Sequence, residues 1–319
     1  MLMPPRISLA FLPTPVQKIT YKDYPLIIKR DDLTGMETTG NKIRKLEYIL
    51  ADALARKAEI IFTTGGEQSN HARATVAACR SLGLDVKLFL WGEPKEEVTG
   101  NIFIDRFLGA DIRYLSYEEF LRSEEIMKEE AEKLAAEGKK VYIVPEGGSS
   151  SEGITGYIRF WDELESQMNL AGLDEVYVAA GSGGTVSGLL IGAALKDIPV
   201  KINAVSVLYE ASVLEKKVMH ILESFIAAYA PDMRLPLHQF EIIGGYSAEG
   251  YKQISNEKVT VLKDFAMKTG IILDPVYTGK AFFALQDRCI NGGEKKNILF
   301  LHTGGLFGVF EKNREYLQL

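Results

Sequence analysis

The chain has 319 residues, 46% of them hydrophobic and 25% charged, a composition typical of soluble globular proteins and a length sufficient for two domains. Its formal charge of −6 offers no basic footprint for nucleic acid or for an anionic membrane surface. The two cysteines, Cys79 and Cys289, lie far apart without metal-ligand spacing and read as reduced structural thiols.

No apolar run reaches the length of a spanning helix. The apolar piece at 7–12 is short, lacks a basic run before it and precedes Pro13 and Pro15; no signal peptide is expected, and the location reads as cytoplasmic. The first clear strand is at 26–29. It runs into the turn-rich Arg30-Asp31-Asp32-Leu33-Thr34-Gly35, whose acid pair has no further ligand at useful spacing and reads as ion-paired or turn-bonded. Gly40 and Asn41 are turn and cap residues. After them Ile43, Leu46, Ile49, Leu50, Ala53 and Leu54 fall three and four apart, so a helix begins there. Lys42 lies in its first turn, at the positive end of the dipole, where a merely solvating lysine is poorly placed. Positive neighbours (Arg44, Lys45) and partial burial would lower its pKa. A neutral amine attacks carbonyls and abstracts protons.

A regular alternation follows. Short β-rich runs at 59–63, 86–91, 111–115 and 141–144 are separated by helical patterns near 69–82, 98–108 and 117–137, which predicts parallel βαβ units. The loop Pro145-Glu146-Gly147-Gly148-Ser149-Ser150-Ser151 breaks the rhythm and marks a domain boundary. Beyond it come a helix near 152–169, a strand at 175–180, a helix from about Thr185 and a strand at 201–207. Helices near 211–229, 249–270 and 279–291 then lead to a final strand at 297–302. The fold class is α/β with open, twisted parallel sheets, whose ligands bind at the carboxyl ends of strands.

Three Gly-rich loops follow strands directly: Thr64-Gly65-Gly66-Glu67-Gln68-Ser69-Asn70-His71, Gly181-Ser182-Gly183-Gly184-Thr185 and Thr303-Gly304-Gly305. The second is the best phosphate cradle, with approachable N–H groups, two hydroxyls and a following helix N-terminus. It is neither a P-loop nor a dinucleotide fingerprint, although Glu210 stands at roughly the ribose-carboxylate distance and keeps a nicotinamide protein as a minor alternative. Ser69 at a helix start is an ordinary cap or a carboxylate site. No nucleophile elbow or serine triad is legible, and His71 and His302 acquire no catalytic role from their neighbours. Tyr277, in Asp274-Pro275-Val276-Tyr277-Thr278-Gly279-Lys280, and Tyr251, near another helix start, are packed aromatics singly and acid–base or orienting groups as a pair near a lysine.

Taken in order, the segments 40–47, 65–70, 274–280 and 302–305 resemble the fold-type II pyridoxal-phosphate enzymes, tryptophan-synthase-beta-like in architecture, over nearly the whole chain. The resemblance is to the D-cysteine desulfhydrase and 1-aminocyclopropane-1-carboxylate deaminase family. It implies that Lys42 is the Schiff-base lysine, that Asn70 bonds the cofactor's phenolic oxygen, that Gly181, Ser182, Gly183, Gly184 and Thr185 hold its phosphate, and that Thr303 faces its pyridine nitrogen. Ser69 would bind the substrate carboxylate, with Asn70, His71 and Thr278 also on the substrate and Tyr251 and Tyr277 lining the opposite side. It further implies a large cofactor domain of residues 1–44 and 154–319, a small domain of 45–153, and a homodimer. The ring-opening deaminases resemble this chain but carry Glu after the tyrosine and Leu before the paired glycines, where Thr278 and Thr303 stand here. Elimination of D-cysteine, or of a similar β-substituted amino acid, to pyruvate, ammonia and sulfide is therefore expected ahead of ring opening to 2-oxobutyrate. A nucleotide- or cofactor-binding protein without catalysis is a remoter reading. The segment Lys252-Gln253-Ile254 departs from the Gly/Pro-rich loop usual in that family.

Overall fold

The structure is a computed structural model that describes residues 3–235, 237–248, 250, 254–292 and 295–317. Strands β1 (Val16–Tyr21) and β2 (Tyr24–Arg30) form an antiparallel hairpin. Strands β3 (Ile60–Gly66), β4 (Asp85–Trp91), β5 (Asp111–Leu115) and β6 (Val141–Ile143) make a four-stranded parallel sheet in the order β5-β4-β3-β6. Strands β7 (Glu175–Ala180), β8 (Lys201–Ser206), β9 (Phe240–Ile243) and β10 (Ile298–His302) join the hairpin in a six-stranded sheet ordered β1-β2-β10-β7-β8-β9. The first sheet thus comes from one continuous stretch, whereas the second takes strands from both ends of the chain.

Several elements depart from the sequence expectation. The six-stranded sheet is mixed, not wholly parallel, because Lys22 and Asp23 both adopt positive φ (49° and 60°) and turn β1 back on β2, as a two-residue hairpin requires. Strand β9 was not predicted; it pairs parallel with β8 at the sheet edge. The helix expected from 249 starts at Asn256, capped by Ser255. The helical patterns at 117–137 and 152–169 each break in two, into Tyr117–Leu121 and Ser123–Ala136, and into Thr155–Ile158 and Phe160–Gln167.

Two packing devices position the site. The helix Gly184–Leu195 is buried almost all round. A Cβ on Gly188 would sit 2.4 Å from the Ile154 carbonyl oxygen, and one on Gly192 2.4 Å from Trp161 Cδ1. Only glycine lets this helix lie so close to the segment 154–161. The second device is a buried ionic cluster beneath the helix Lys42–Ala55. Arg44 pairs with Asp31 at 2.7 Å and with Glu163 at 2.7 Å. Lys29 reaches Glu163 at 2.5 Å, and the Tyr157 hydroxyl donates to Asp31 at 2.5 Å. Each buried charge therefore has an opposite partner. Both cysteines are buried free thiols, and burial pushes the Cys79 thiol up to about 12.

Candidate active site

The carboxyl ends of β3, β7 and β10 face one cleft, bordered by Glu146 and Gly147 of the loop 145–151. Lys42, Asn70 and Thr303 line it together with Ser69, His71 and Tyr277. Of the glycine loop, Gly181, Ser182, Gly183 and Thr185 reach the cleft. Gly184 begins the helix behind them, where its absent Cβ would lie 2.5 Å from Ser149 Oγ. Besides Gly184, one expected residue among those described does not line the cleft. Thr278 is fully buried, donating its hydroxyl to Asp274 at 2.6 Å and accepting from the Asp274 N–H at 2.9 Å. Tyr251 lies outside the described residues.

Lys42 occupies the first helical turn, as the local sequence requires. Burial lowers its amine to about 8, and the Glu146 carboxylate works in the opposite direction. The positive neighbours expected to help do not act in the way foreseen. Arg44 points into the ionic cluster, where Asp31 and Glu163 neutralise it. Lys45, three residues on, shares the buried face with Lys42. Its Nζ donates to the Gly147 carbonyl oxygen at 3.1 Å, and burial together with Lys42 pushes it well below the ordinary lysine value. Gly147 is in the left-handed region (φ 67°), and a Cβ there would sit 2.1 Å from Ser182 Oγ and 3.3 Å from Lys42 Nζ. The cleft wall at this point is bare backbone because a side chain would fill the space.

Ser69 caps the helix Asn70–Ser81, its oxygen accepting from the Ala72 N–H at 3.2 Å. That contact uses a lone pair and leaves the hydroxyl proton for a ligand. A carboxylate would meet this proton and the N–H groups at the positive end of the helix. Asn70 Oδ1 accepts from Asn101 Nδ2 at 3.0 Å, and Asn101 Oδ1 accepts in turn from the buried Arg73 at 2.9 Å. With its oxygen engaged, the Asn70 amide has its nitrogen to donate. His71 Nε2 shares a 2.9 Å bond with Thr63, and burial, Lys42 and Lys45 keep the ring well below its ordinary pKa. His302 is tied to the Ile272 carbonyl at 2.9 Å and accepts from the Gly304 N–H at 3.2 Å, a structural role. Sequence reasoning named Lys45 only as a positive neighbour of Lys42, and it missed Glu146, Ser149 and Asn101. The only signal for Lys45 was its spacing of three from Lys42, and the loop holding Glu146 and Ser149 read merely as a boundary.

At the phosphate loop, Ser182 and Ser149 hydroxyls lie 2.8 Å apart, the Gly184 N–H donates to Ser149 Oγ at 3.2 Å, and Asn41 Nδ2 donates to Thr185 Oγ1 at 2.9 Å. A Cβ on Gly184 would sit 2.8 Å from Lys45 Nζ. A helix start, several hydroxyls and a buried amine thus converge as an anion site. The same cleft offers the Lys42 amine of lowered basicity and, at the start of the helix Asn70–Ser81, a carboxylate site at Ser69.

A protein-family model described as "Pyridoxal-phosphate dependent enzyme" matches residues 7–304. The chain is 42% identical over 314 residues to a Thermotoga maritima protein named, provisionally, a 1-aminocyclopropane-1-carboxylate deaminase, covering 97% of this chain and 99% of the relative. It is 38% identical over 328 residues to the mitochondrial bifunctional D-cysteine desulfhydrase/1-aminocyclopropane-1-carboxylate deaminase of Arabidopsis thaliana, covering 96% and 79% respectively. A crystal structure described as an ACC deaminase homologue superimposes with a TM-score of 0.91 at 36% identity, covering 99% of this chain and 96% of that one.

Proposed function

Since the chain belongs to the pyridoxal-phosphate-dependent enzymes of fold type II, we propose that it is a lyase eliminating the β-substituent of D-cysteine, or of a similar β-substituted amino acid, to give pyruvate, ammonia and sulfide. The observation that carries this reading is the Lys42 amine, lowered to about 8 in a cleft it shares with Ser69 and Tyr277.

The cleft suits the cofactor. Ser182, Thr185 and the N–H groups opening Gly184–Leu195 would hold its phosphate with Lys45, Asn70 would donate to its phenolic oxygen, and Thr303 would face its ring nitrogen. When bound, pyridoxal phosphate supplies an electron sink for the charge left at the substrate's Cα. Ser69 binds the substrate carboxylate and fixes Cα, Lys42 Nζ takes the α-proton, and Tyr277 orients the substrate from the facing wall. Sulfide is weakly basic and leaves with little acid help. In the same reading residues 1–44 and 154–319 form the cofactor domain and 45–153 the smaller one, a division supported by the strand membership of the two sheets.

Elimination is favoured over ring opening by Thr278 and Thr303, which stand where ring-opening relatives carry Glu and Leu. The buried Thr278 offers no carboxylate beside Tyr277. The names of the relatives support a second reading, 1-aminocyclopropane-1-carboxylate deamination. Parallel assays on D-cysteine and the ring amino acid, scoring pyruvate against 2-oxobutyrate, separate the two. Borohydride reduction with peptide mapping is expected to find the cofactor on Lys42; finding it on another lysine would refute the assignment.

A further inference from the structure

Beyond the inner cleft lies a second chamber of about 520 Å³, open to solvent. The two share Ser69, Glu146, Leu208 and Tyr277, so a substrate held by its carboxylate at Ser69 sits at the boundary between them. The outer walls are Trp91 at the end of β4, Tyr117 and Phe120 of the short helix Tyr117–Leu121 after β5, and Tyr209 after β8. The Trp91 ring lies 5.3 Å from that of Tyr117 and 6.0 Å from that of Phe120, the latter stacked at 30°.

The folded core does not account for this surface. Tyr117 is 54% exposed and its neighbour Leu121 68% exposed, yet they stand side by side at the mouth of a reactive cleft. Contiguous apolar surface in such a place marks a binding region. Neither sulfhydryl nor a cyclopropane ring would extend into it. Glu146 is the charged side chain at the threshold, accepting from the Tyr209 hydroxyl at 3.4 Å. A carboxylate there repels an anionic substituent and leaves an uncharged one unaffected.

Resting on the lyase reading above, we propose that the outer chamber receives the substrate's β-substituent, and that the preferred substrates are D-cysteine thioethers bearing a bulky, uncharged, apolar or aryl group. For S-phenyl-D-cysteine the balance is simple. The Cα–H bond breaks and its proton passes to Lys42 Nζ, while the Cβ–S bond breaks and thiophenolate leaves with its electron pair. The unsaturated amine then takes up one water to give pyruvate and ammonia. Thiophenolate, like sulfide, is a weak base and departs with little acid help.

The test measures kcat/KM of the holoenzyme for D-cysteine, S-phenyl-D-cysteine, D-cysteate and D-2,3-diaminopropionate. The thioether is expected to match or exceed D-cysteine, with cysteate at least tenfold lower. Trp91→Ala is expected to lower the thioether-to-cysteine ratio at least tenfold, chiefly through KM. A binding readout accompanies it. Trp91 and the buried Trp161 are the two tryptophans, so D-homophenylalanine, which carries no leaving group, should quench fluorescence in the wild type and not in Trp91→Phe. Turnover of D-cysteine with the thioether below a tenth of it, a preference for the cationic diaminopropionate, an unchanged substrate ratio in Trp91→Ala, or absence of quenching would each overturn the proposal while leaving the lyase reading intact. If no amino acid reacts and Lys42 carries no cofactor, the lyase reading itself falls.

Discussion

Lys45 Nζ donates to the Gly147 carbonyl oxygen over 3.1 Å, one helical turn beyond Lys42 and beside the first residue of the helix Gly184–Leu195. Burial and Lys42 together hold this amine well below the ordinary lysine value, so a phosphate dianion at the adjacent helix start would supply a negative partner that none of the described residues provides. Lys45→Ala is expected to raise the dissociation constant for pyridoxal phosphate at least tenfold, equivalent to about 1.4 kcal/mol. An unchanged constant in equilibrium titration would place the phosphate elsewhere.

The reactivity of Lys42 should follow its proton. With the amine at about 8, the neutral nucleophile is the minority below that pH and the majority above it. The rate at which the cofactor-free protein couples pyridoxal phosphate to Lys42 is therefore expected to rise through pH 8 and level off above. Because the Glu146 carboxylate raises the Lys42 value, Glu146→Gln should move the midpoint to lower pH. A midpoint near 10 in stopped-flow absorbance, or a shift to higher pH in the variant, would refute this account.

Ser69 has two roles that substitution can part. Its oxygen caps the helix Asn70–Ser81, and replacement by Gly costs a cap only a few tenths of a kcal/mol, whereas Ala costs about 1 kcal/mol. Both variants lose the hydroxyl donor. Both are expected to raise KM about tenfold or more, with cofactor affinity changed far less and only Ala lowering the melting temperature. Equal losses of substrate and cofactor affinity would contradict the carboxylate role.

Gly147→Ala addresses the cradle. The backbone there has φ 67°, and the new methyl would approach Ser182 Oγ to 2.1 Å. The left-handed conformation alone costs an L-residue about 1–2 kcal/mol. Reduced cofactor occupancy is expected, read as a weaker visible band per mole of protein. Full occupancy would show that the loop 145–151 does not border the cofactor.

The ionic cluster beneath the Lys42 helix should govern acid stability. Burial opposes the charge of Glu163, but Arg44 and Lys29 prevail and hold its carboxyl at about 2, below the ordinary 4.5. A depressed carboxylate contributes stability that is complete above pH 4.5 and is lost as pH falls through about 2. Glu163→Gln strands part of the positive charge on Arg44 and Lys29, and is expected to cost about 3–5 kcal/mol near neutrality. Its own stability should fall less steeply than that of the wild type between pH 4.5 and 2, as judged by denaturant midpoints. Parallel pH profiles would exclude the cluster as the cause.

Local signals carried much of the fold. Strands β3, β4, β7, β8 and β10 read as short apolar runs because parallel strands are covered on both faces. Strand β1 escaped notice because its turn uses Lys22-Asp23, which carries none of the usual Asn-Gly signature. Strand β9 escaped because four residues show too little periodicity to register. Lys42, Ser69 and the Gly181–Thr185 loop were legible because a helix start is written in adjacent residues, through caps and glycines.

The amino-acid order by itself determined where the helices behind Lys42, Ser69 and the Gly181–Thr185 loop begin and which functional groups their first turns present. Tertiary structure alone decided what those groups meet. Arg44 turns from Lys42 toward Asp31 and Glu163, Asn101 braces Asn70 from 31 residues away, and Thr278 closes on Asp274. Glu146, read as part of a boundary loop, lines the cleft with Lys42 and acts on its charge. Cap geometry depends on neighbouring residues, whereas basicity and orientation depend on burial and on charges brought in by distant segments, and only the folded chain sets those.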